Sequence, residues 1–257
     1  GVAIEQNLRA FNWGRLLCEQ PKTVFNAAGL NSKNSEIISI DKYVDNFSDI
    51  LEKYQNKEYS KIFLSNVKKV IEKENQIDNS EKELPLSRKV ALTLFRAMRY
   101  KDEYEVARLH TSGDFAQTFL NENKNAKLEY YLAPPLFSKK DPDTGHLLKR
   151  RFGPSVYKIF KLLSYFKFLR GTKLDIFGYT LERKKERALA HKTISTINKI
   201  SEILIDNNYK KIIEFLDIPL SIKGYGHVKE KNIKIAEEKW DKSFNKILAN
   251  QNLKKVS

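Results

Sequence analysis

Apolar residues recur at intervals of three and four along most of this chain, the spacing of one face of an α-helix. Ile4, Leu8, Phe11 and Trp13 with Leu16 or Leu17 mark a short first helix that packs on something, ended by Pro21 and the loop around Gly29. Residues 31–40 read as a linker. Tyr43, Phe47, Ile50, Leu51 and Tyr54 then predict a second helix. Ile62, Phe63, Val67, Val70 and Ile71 predict a third, with Lys61, Lys68, Lys69 and Glu72 on its polar face. A polar stretch over 72–83 leads to Pro85, a residue suited to the first turn of a helix over 88–100 that buries Val90, Leu94, Ala97 and Met98.

The pattern changes over 126–154. Residues 127–132 alternate weakly and run into Pro134, Pro135, Pro142, Gly145, Gly153 and Pro154, which no long helix can traverse. A short strand followed by a long ordered loop is expected, and loops of about 15 residues without regular structure are usually functional. Helix resumes with Ser155 as N-cap and Val156, Ile159, Phe160, Leu163 and Phe166 facing inward. Residues 169–178 are irregular. A long helix from Leu181 buries Ala190, Ile194, Ile197, Ile200 and Leu204; a shorter one from Lys210 ends before Pro219; a last one carries Ile233, Ala236, Trp240, Phe244 and Ile247. The predicted fold is mainly α with a small β contribution: a helical domain with a long ordered Pro/Gly loop.

Composition narrows the classes. With 41% hydrophobic and 31% charged positions in 257 residues, the chain has material for a real core. No apolar run approaches the roughly 18–20 residues of a membrane span, and the run around Ile159 to Leu169 is interrupted by Lys161 and Lys167. A cytoplasmic protein with no membrane partner is expected. The single cysteine, Cys18, excludes an internal disulfide and any self-contained iron–sulfur cluster, which needs about four thiolates; Cys18 itself reads as a small buried apolar residue. The net charge of +15 is focused: residues 1–85 carry 12 Lys/Arg against 13 Asp/Glu, whereas residues 139–173 carry 10 against 2. A stand-alone basic helical protein that binds nucleic acid is the alternative this charge raises, with affinity falling steeply in salt. No groove-reading motif accompanies it, and nucleic acid is not the expected partner.

General catalytic motifs are absent. Gly224-Tyr225-Gly226 supplies two glycines of a dinucleotide fingerprint without the third. His110, His146, His191 and His227 lack metal-ligand spacing and are assigned structural or surface roles. Around the Pro/Gly framework, Lys139, Lys140, His146, Lys149, Arg150 and Arg151 crowd into one segment. Guanidinium forks and ammonium charges suit a phosphate or carboxylate cluster; the same residues would serve equally as a solvated loop that pairs with acidic groups of a neighbouring domain. Arg183, Lys184, Lys185 and Arg187, interleaved with Glu182 and Glu186, read as a salt-bridged exposed helix face.

Several strings resemble the C-terminal region of the large single-chain indolepyruvate ferredoxin oxidoreductases. They are Lys101-Asp102-Glu103-Tyr104-Glu105-Val106-Ala107-Arg108-Leu109, Leu132-Ala133-Pro134-Pro135-Leu136, Lys140-Asp141-Pro142 with Thr144-Gly145, and Lys149-Arg150-Arg151-Phe152-Gly153-Pro154. Leu169-Arg170-Gly171-Thr172 follows, with Leu174-Asp175 and Phe177-Gly178, then Glu182-Arg183 and Glu186-Arg187-Ala188-Leu189, then Ile222-Lys223-Gly224-Tyr225-Gly226-His227-Val228-Lys229. Gly1-Val2-Ala3, Asn7, Ala10-Phe11 and Trp13-Gly14-Arg15 resemble the segment after that family's small oxidoreductase domain, so the chain is expected to be the C-terminal piece of a longer protein. The resemblance is weakest over 30–80, and its specificity lies in co-occurrence.

The resemblance implies residues 1–35 as a helix and linker following the small oxidoreductase domain, and residues 36–257 as the C-terminal helical domain. It implies a parent enzyme that uses thiamine diphosphate, magnesium and iron–sulfur clusters to decarboxylate an aryl 2-oxo acid, passing electrons to ferredoxin and the acyl group to coenzyme A. This segment itself is expected to bind none of those cofactors, to contribute no catalytic residue and to be inert when isolated. Its expected partners are the catalytic domains of the parent chain, with the basic loop facing coenzyme A phosphates or the acidic surface of ferredoxin.

Overall fold

The computed structural model describes residues 3–29, 38–77, 83–112, 118, 121–122, 129–133, 138 and 148–252. The chain divides between Lys42 and Tyr43 into two compact units, beside the sequence-based boundary at 35/36. The first holds helices α1 (Ile4–Glu19) and α2 (Pro21–Ala27). Pro21 opens α2 instead of leading into a loop, because a proline in the first helical turn sacrifices no intrahelical hydrogen bond. No residue of α1 is buried, and Phe11 and Trp13 stand 64% and 49% exposed. Helix α1 packs on the 7-residue α2, too short to cover its apolar stripe. Cys18 is exposed, contrary to the expectation of a buried position.

The second unit is helical, built around α5 (Pro85–Met98). Leu86, Val90, Ala91, Leu94 and Met98 are all fully buried; with apolar residues on more than one face, the helix belongs at the centre. It packs against α4 (Lys57–Ile77) and α8 (Leu181–Ile203). The short helices α9 (Asp206–Phe215) and α10 (Asp217–Leu220) also touch it. Helix α3 (Ile40–Tyr54) contributes Val44, Leu51 and Tyr54 to the core. Helix α11 (Gly226–Asn252) lays Ile233, Ala236, Trp240, Phe244 and Ile247 inward, as the spacing predicts. Pro219 sits inside the single turn of α10, beyond the end of α9.

Both ends of α5 are closed by side chains from other elements. At its N-terminus the first backbone N–H groups have no intrahelical partner. Glu74 of α4 accepts from Leu86 N at 3.0 Å, Ser87 N at 2.7 Å, Ser87 Oγ at 2.5 Å and the Tyr209 hydroxyl at 2.6 Å, and is 1% exposed. At the other end Tyr59 donates to Met98 O at 2.8 Å and Tyr54 to Tyr100 O at 3.0 Å. Glu74 lies in the stretch 72–83 that reads simply as polar; the structure instead continues α4 through it to Ile77 and buries this carboxylate as a clamp.

Beside this core, α6 (Glu103–Thr111), α7 (Val156–Tyr165) and a small antiparallel pair, β1 (Tyr130–Leu132) and β2 (Arg150–Phe152), form a second apolar cluster. Tyr130 lies opposite Phe152 and Leu132 opposite Arg150. Ala107, Tyr130, Val156 and Phe160 are its buried members, with Leu163 packed against them. Two expectations for α7 are corrected. Ser155 makes no side-chain cap, and Ile159 and Phe166 stand 61% and 40% exposed instead of facing inward. The neighbouring α6 has 9 residues and offers a narrow surface, which admits only the Val156–Phe160–Leu163 ridge.

The fold is mainly α with a small β contribution. The predicted long loop lies largely outside the described residues, and its final residues 150–152 form β2. No helix among the described residues is long and apolar enough to cross a membrane.

Candidate functional site: a buried ion-pair knot

Local sequence places the members of this site at the ends of elements. Asp102 precedes α6 in extended backbone and accepts from Glu105 N at 2.8 Å, an N-cap that turns its carboxylate toward the protein. Arg170 follows a 3-10 turn over Phe166–Leu169, which ends the apolar ridge of α7 and swings the guanidinium inward. Arg170 Nε and Nη2 meet Asp102 Oδ2 and Oδ1 at 2.5 and 2.9 Å. Arg170 Nη1 donates to Tyr54 O at 2.6 Å, and the guanidinium carbon lies 3.6 Å from the Tyr54 ring centroid.

Burial opposes the charge of Arg170, yet its hydrogen bonds to Asp102 and the surrounding Tyr54, Asp102 and Tyr100 hold it above the ordinary arginine value. Its environment acts on the phenols in turn. Tyr100 is pushed up to about 12, first by burial and then by the Asp102 charge. Burial, again followed by Asp102, raises Tyr54 well above the usual phenol range. Lys167, whose Nζ donates to Lys53 O at 2.6 Å, is lowered by burial and then by Arg108 and Arg170.

A second carboxylate, Asp175, stands beside the first. It accepts from Gly171 N at 2.8 Å, Gly178 N at 2.9 Å and the Tyr104 hydroxyl at 3.3 Å, with Arg187 Nη1 3.7 Å away. Tyr104 is raised by burial first and by Asp175 second. Arg187 Nη2 also donates to Gly178 O at 2.6 Å. A Cβ built on Gly178 would lie 2.6 Å from Arg187 Nη1 and crowd the Asp175 carboxylate, so the approach of these two charges requires glycine. Gly171, at φ 78°, occupies the left-handed region where glycine carries no steric cost.

Helix α8 brings further members. Arg183 pairs with Glu103 at 3.2 and 3.3 Å, while its Nη1 has no hydrogen-bond partner among the described residues and lies 3.5 Å from Glu182. Glu186 accepts from Lys229 of α11 at 2.5 Å, and Lys185 pairs with Glu230. The expected exposed face is thus corrected: Arg183 and Glu186 are 8% and 5% exposed and pair with other elements. Register explains the difference, because α8 presents these residues to α6 and α11 on the side that carries Leu189 and Ala190 inward.

These are the residues of the matched strings. Asp102, Tyr104, Arg170, Asp175, Gly178 and Arg187 come from distant parts of the sequence and meet around two buried carboxylates, while Arg183 with Glu103 and Glu186 with Lys229 form separate pairs along α8. A family profile described as "Family of unknown function (DUF6537)" matches residues 40–242, a span that contains the whole knot. The chain belongs to this family. No curated protein and no solved structure matches it.

The predicted site residues of this DUF6537 member are not members of the knot among the described residues. Lys139, Lys140 and His146 are outside the described residues. Lys149 and Arg150 are exposed, and Arg151 of β2 pairs with Glu129, just before β1. Gly224, at φ 92°, and Gly226, at φ 55°, form the turn into α11. His191 is exposed on α8; the His110 ring lies 5.4 Å from that of Phe160 and 5.5 Å from that of Tyr130. Among the described residues, no group of three or more His, Cys, Asp or Glu side chains has the arrangement of a metal site. Chemically the knot is a clamp: its carboxylates already accept from arginines, backbone N–H groups and a tyrosine, and it fixes α6, α8 and the 170–178 segment against one another.

Proposed function

We propose that this chain is the C-terminal structural and docking domain of a large thiamine-dependent indolepyruvate ferredoxin oxidoreductase, an enzyme of oxidative decarboxylation that forms acyl-coenzyme A and reduces ferredoxin. The observation that supports the reading is the meeting of the matched strings. A resemblance spread over Asp102, Tyr104, Arg170, Asp175, Gly178 and Arg187 gains weight when the Asp102–Arg170 pair, the Tyr104 ring near Arg170 and the Tyr104 hydroxyl on Asp175 join those residues in one buried network. Side chains that must satisfy one another's charge are the ones a shared fold retains.

In such an enzyme thiamine diphosphate with magnesium supplies the carbanion chemistry, and the protein supplies position and electrostatics. With one cysteine this chain cannot furnish the thiolates of a cluster. The resemblance assigns the cofactors to other domains of the parent, and the role of this domain is to hold a rigid surface against them, in the cytoplasm.

The test is to read the coding DNA on the 5′ side of the Gly1 codon and to assay the full product for coenzyme A-dependent reduction of a ferredoxin or viologen dye by indolepyruvate. The reading expects several hundred in-frame codons with a thiamine site and four-cysteine motifs, and activity. A start codon directly before Gly1, or a full product inert towards all aryl 2-oxo acids, overturns it.

A further inference from the structure

The exposed side of α7 and the turn after it is unusual for a surface. Ile159, Leu162, Phe166 and Phe168 stand 61%, 61%, 40% and 53% exposed. Ile159, Leu162 and Phe166 recur at three and four residues and line one side of the helix, and the Phe166 and Phe168 rings lie 6.2 Å apart. Lys158 and Lys161 edge this strip, both exposed and neither ion-paired with a described residue. From residue 148 to 174 the sequence has eight Lys/Arg and no Asp or Glu. Large apolar side chains grouped in this way mark an interaction surface, whereas scattered ones do not.

The strip is held still. At its C-terminal end Lys167 donates to Lys53 O and Arg170 is locked into the Asp102 pair. A preformed, rigid face loses little entropy on association.

We propose that this face, centred on Leu162 and Phe166, docks on a protein surface whose apolar centre is rimmed by carboxylates. Charge complementarity selects the occupant: a face with exposed Lys158 and Lys161 and no Asp or Glu within residues 148–174 is steered towards an acidic partner and repels a second copy of itself. Geometry disfavours an anionic lipid surface. Helices that lie on membranes extend their cations towards headgroups, whereas Lys167 and Arg170 here are turned into the protein. The partner is another domain of the same polypeptide, and only this statement rests on the docking role proposed above.

The experiment places the photo-crosslinker benzoylphenylalanine at Leu162 in the full natural polypeptide, with exposed Lys239 of α11 as the control position, and identifies the adduct by mass spectrometry. The expected adduct is an Asp/Glu-rich peptide of another domain of that polypeptide; an adduct to a separate subunit overturns the assignment of the partner. Its yield should fall several-fold in about 0.5 M salt, where screening acts within a few ångströms, and in Lys158→Glu with Lys161→Glu, whose fold is verified by circular dichroism. Adducts no stronger than the control, adducts to lipid, or adducts to residue 162 of a second copy overturn the proposal. An acidic adduct in a polypeptide without oxo-acid oxidoreductase activity upholds the docking face and sinks the enzyme reading; background adducts in an active enzyme do the reverse.

Discussion

Arg170 and Asp102, 68 residues apart, form a two-bond fork with side chains 2% and 3% exposed. A buried pair of this kind adds little net stability as a pair, but stranding either partner is expensive. Arg170→Met is therefore expected to destabilise the domain by about 3–5 kcal/mol, read from urea unfolding. The double variant Arg170→Met with Asp102→Asn should cost clearly less than the two single changes summed. Strict additivity would mean that the two charges are not coupled.

Glu74 serves the N-terminus of α5 from another helix. Glu74→Gln replaces one acceptor oxygen by a donor opposite N–H groups, and a loss of about 1–3 kcal/mol is expected. Tyr209→Phe, which removes a single bond to the same carboxylate, should cost about 1 kcal/mol. Equal effects from the two changes would contradict the clamp.

Gly178→Ala inserts a methyl between Asp175 and Arg187. Overpacking of this kind typically costs about 1–3 kcal/mol. Thermal unfolding of Gly178→Ala alone and combined with Arg187→Ala distinguishes crowding from a general backbone effect: crowding predicts that the second change recovers part of the loss.

His110 is held below the ordinary imidazole value, chiefly by burial and then by Lys101. Its folded pKa is thus depressed relative to the unfolded chain, near 6.5. The stability it contributes is present above about pH 6.5 and is lost as pH falls from there through the folded value. The melting temperature should decline over that window and decline less in His110→Gln; identical slopes would remove His110 as the cause.

Lys149 and Arg150 are exposed beside β2. In the parent oxidoreductase proposed above, Lys149→Glu with Arg150→Glu is expected to raise the Michaelis constant for coenzyme A or ferredoxin several-fold at low salt, an effect that fades as ionic strength rises. Unchanged constants for both would end the anion-facing assignment.

Periodicity reveals the helices whose apolar residues find partners within the domain. The stripes of α5 and α11 are legible because Val90, Leu94, Met98, Trp240 and Phe244 pack where their spacing points. The same reasoning misplaces Ile159 and Phe166, since spacing defines a face without saying which side of the helix a neighbour covers. Glu74, Arg183 and Glu186 are illegible for a different reason. A buried charge looks like a solvated one in sequence, and its partners Ser87, Glu103 and Lys229 lie on other elements. The co-occurring strings name most members of the knot without showing that those members touch.

The missing methyl at Gly178 also sets a rule of inheritance. While Asp175 and Arg187 remain, any larger residue crowds both of them; the requirement for glycine relaxes fully only when both neighbours are replaced. Across related chains positions 175, 178 and 187 should therefore change together or not at all, and an alignment of the family would display this packing constraint as a three-way correlation.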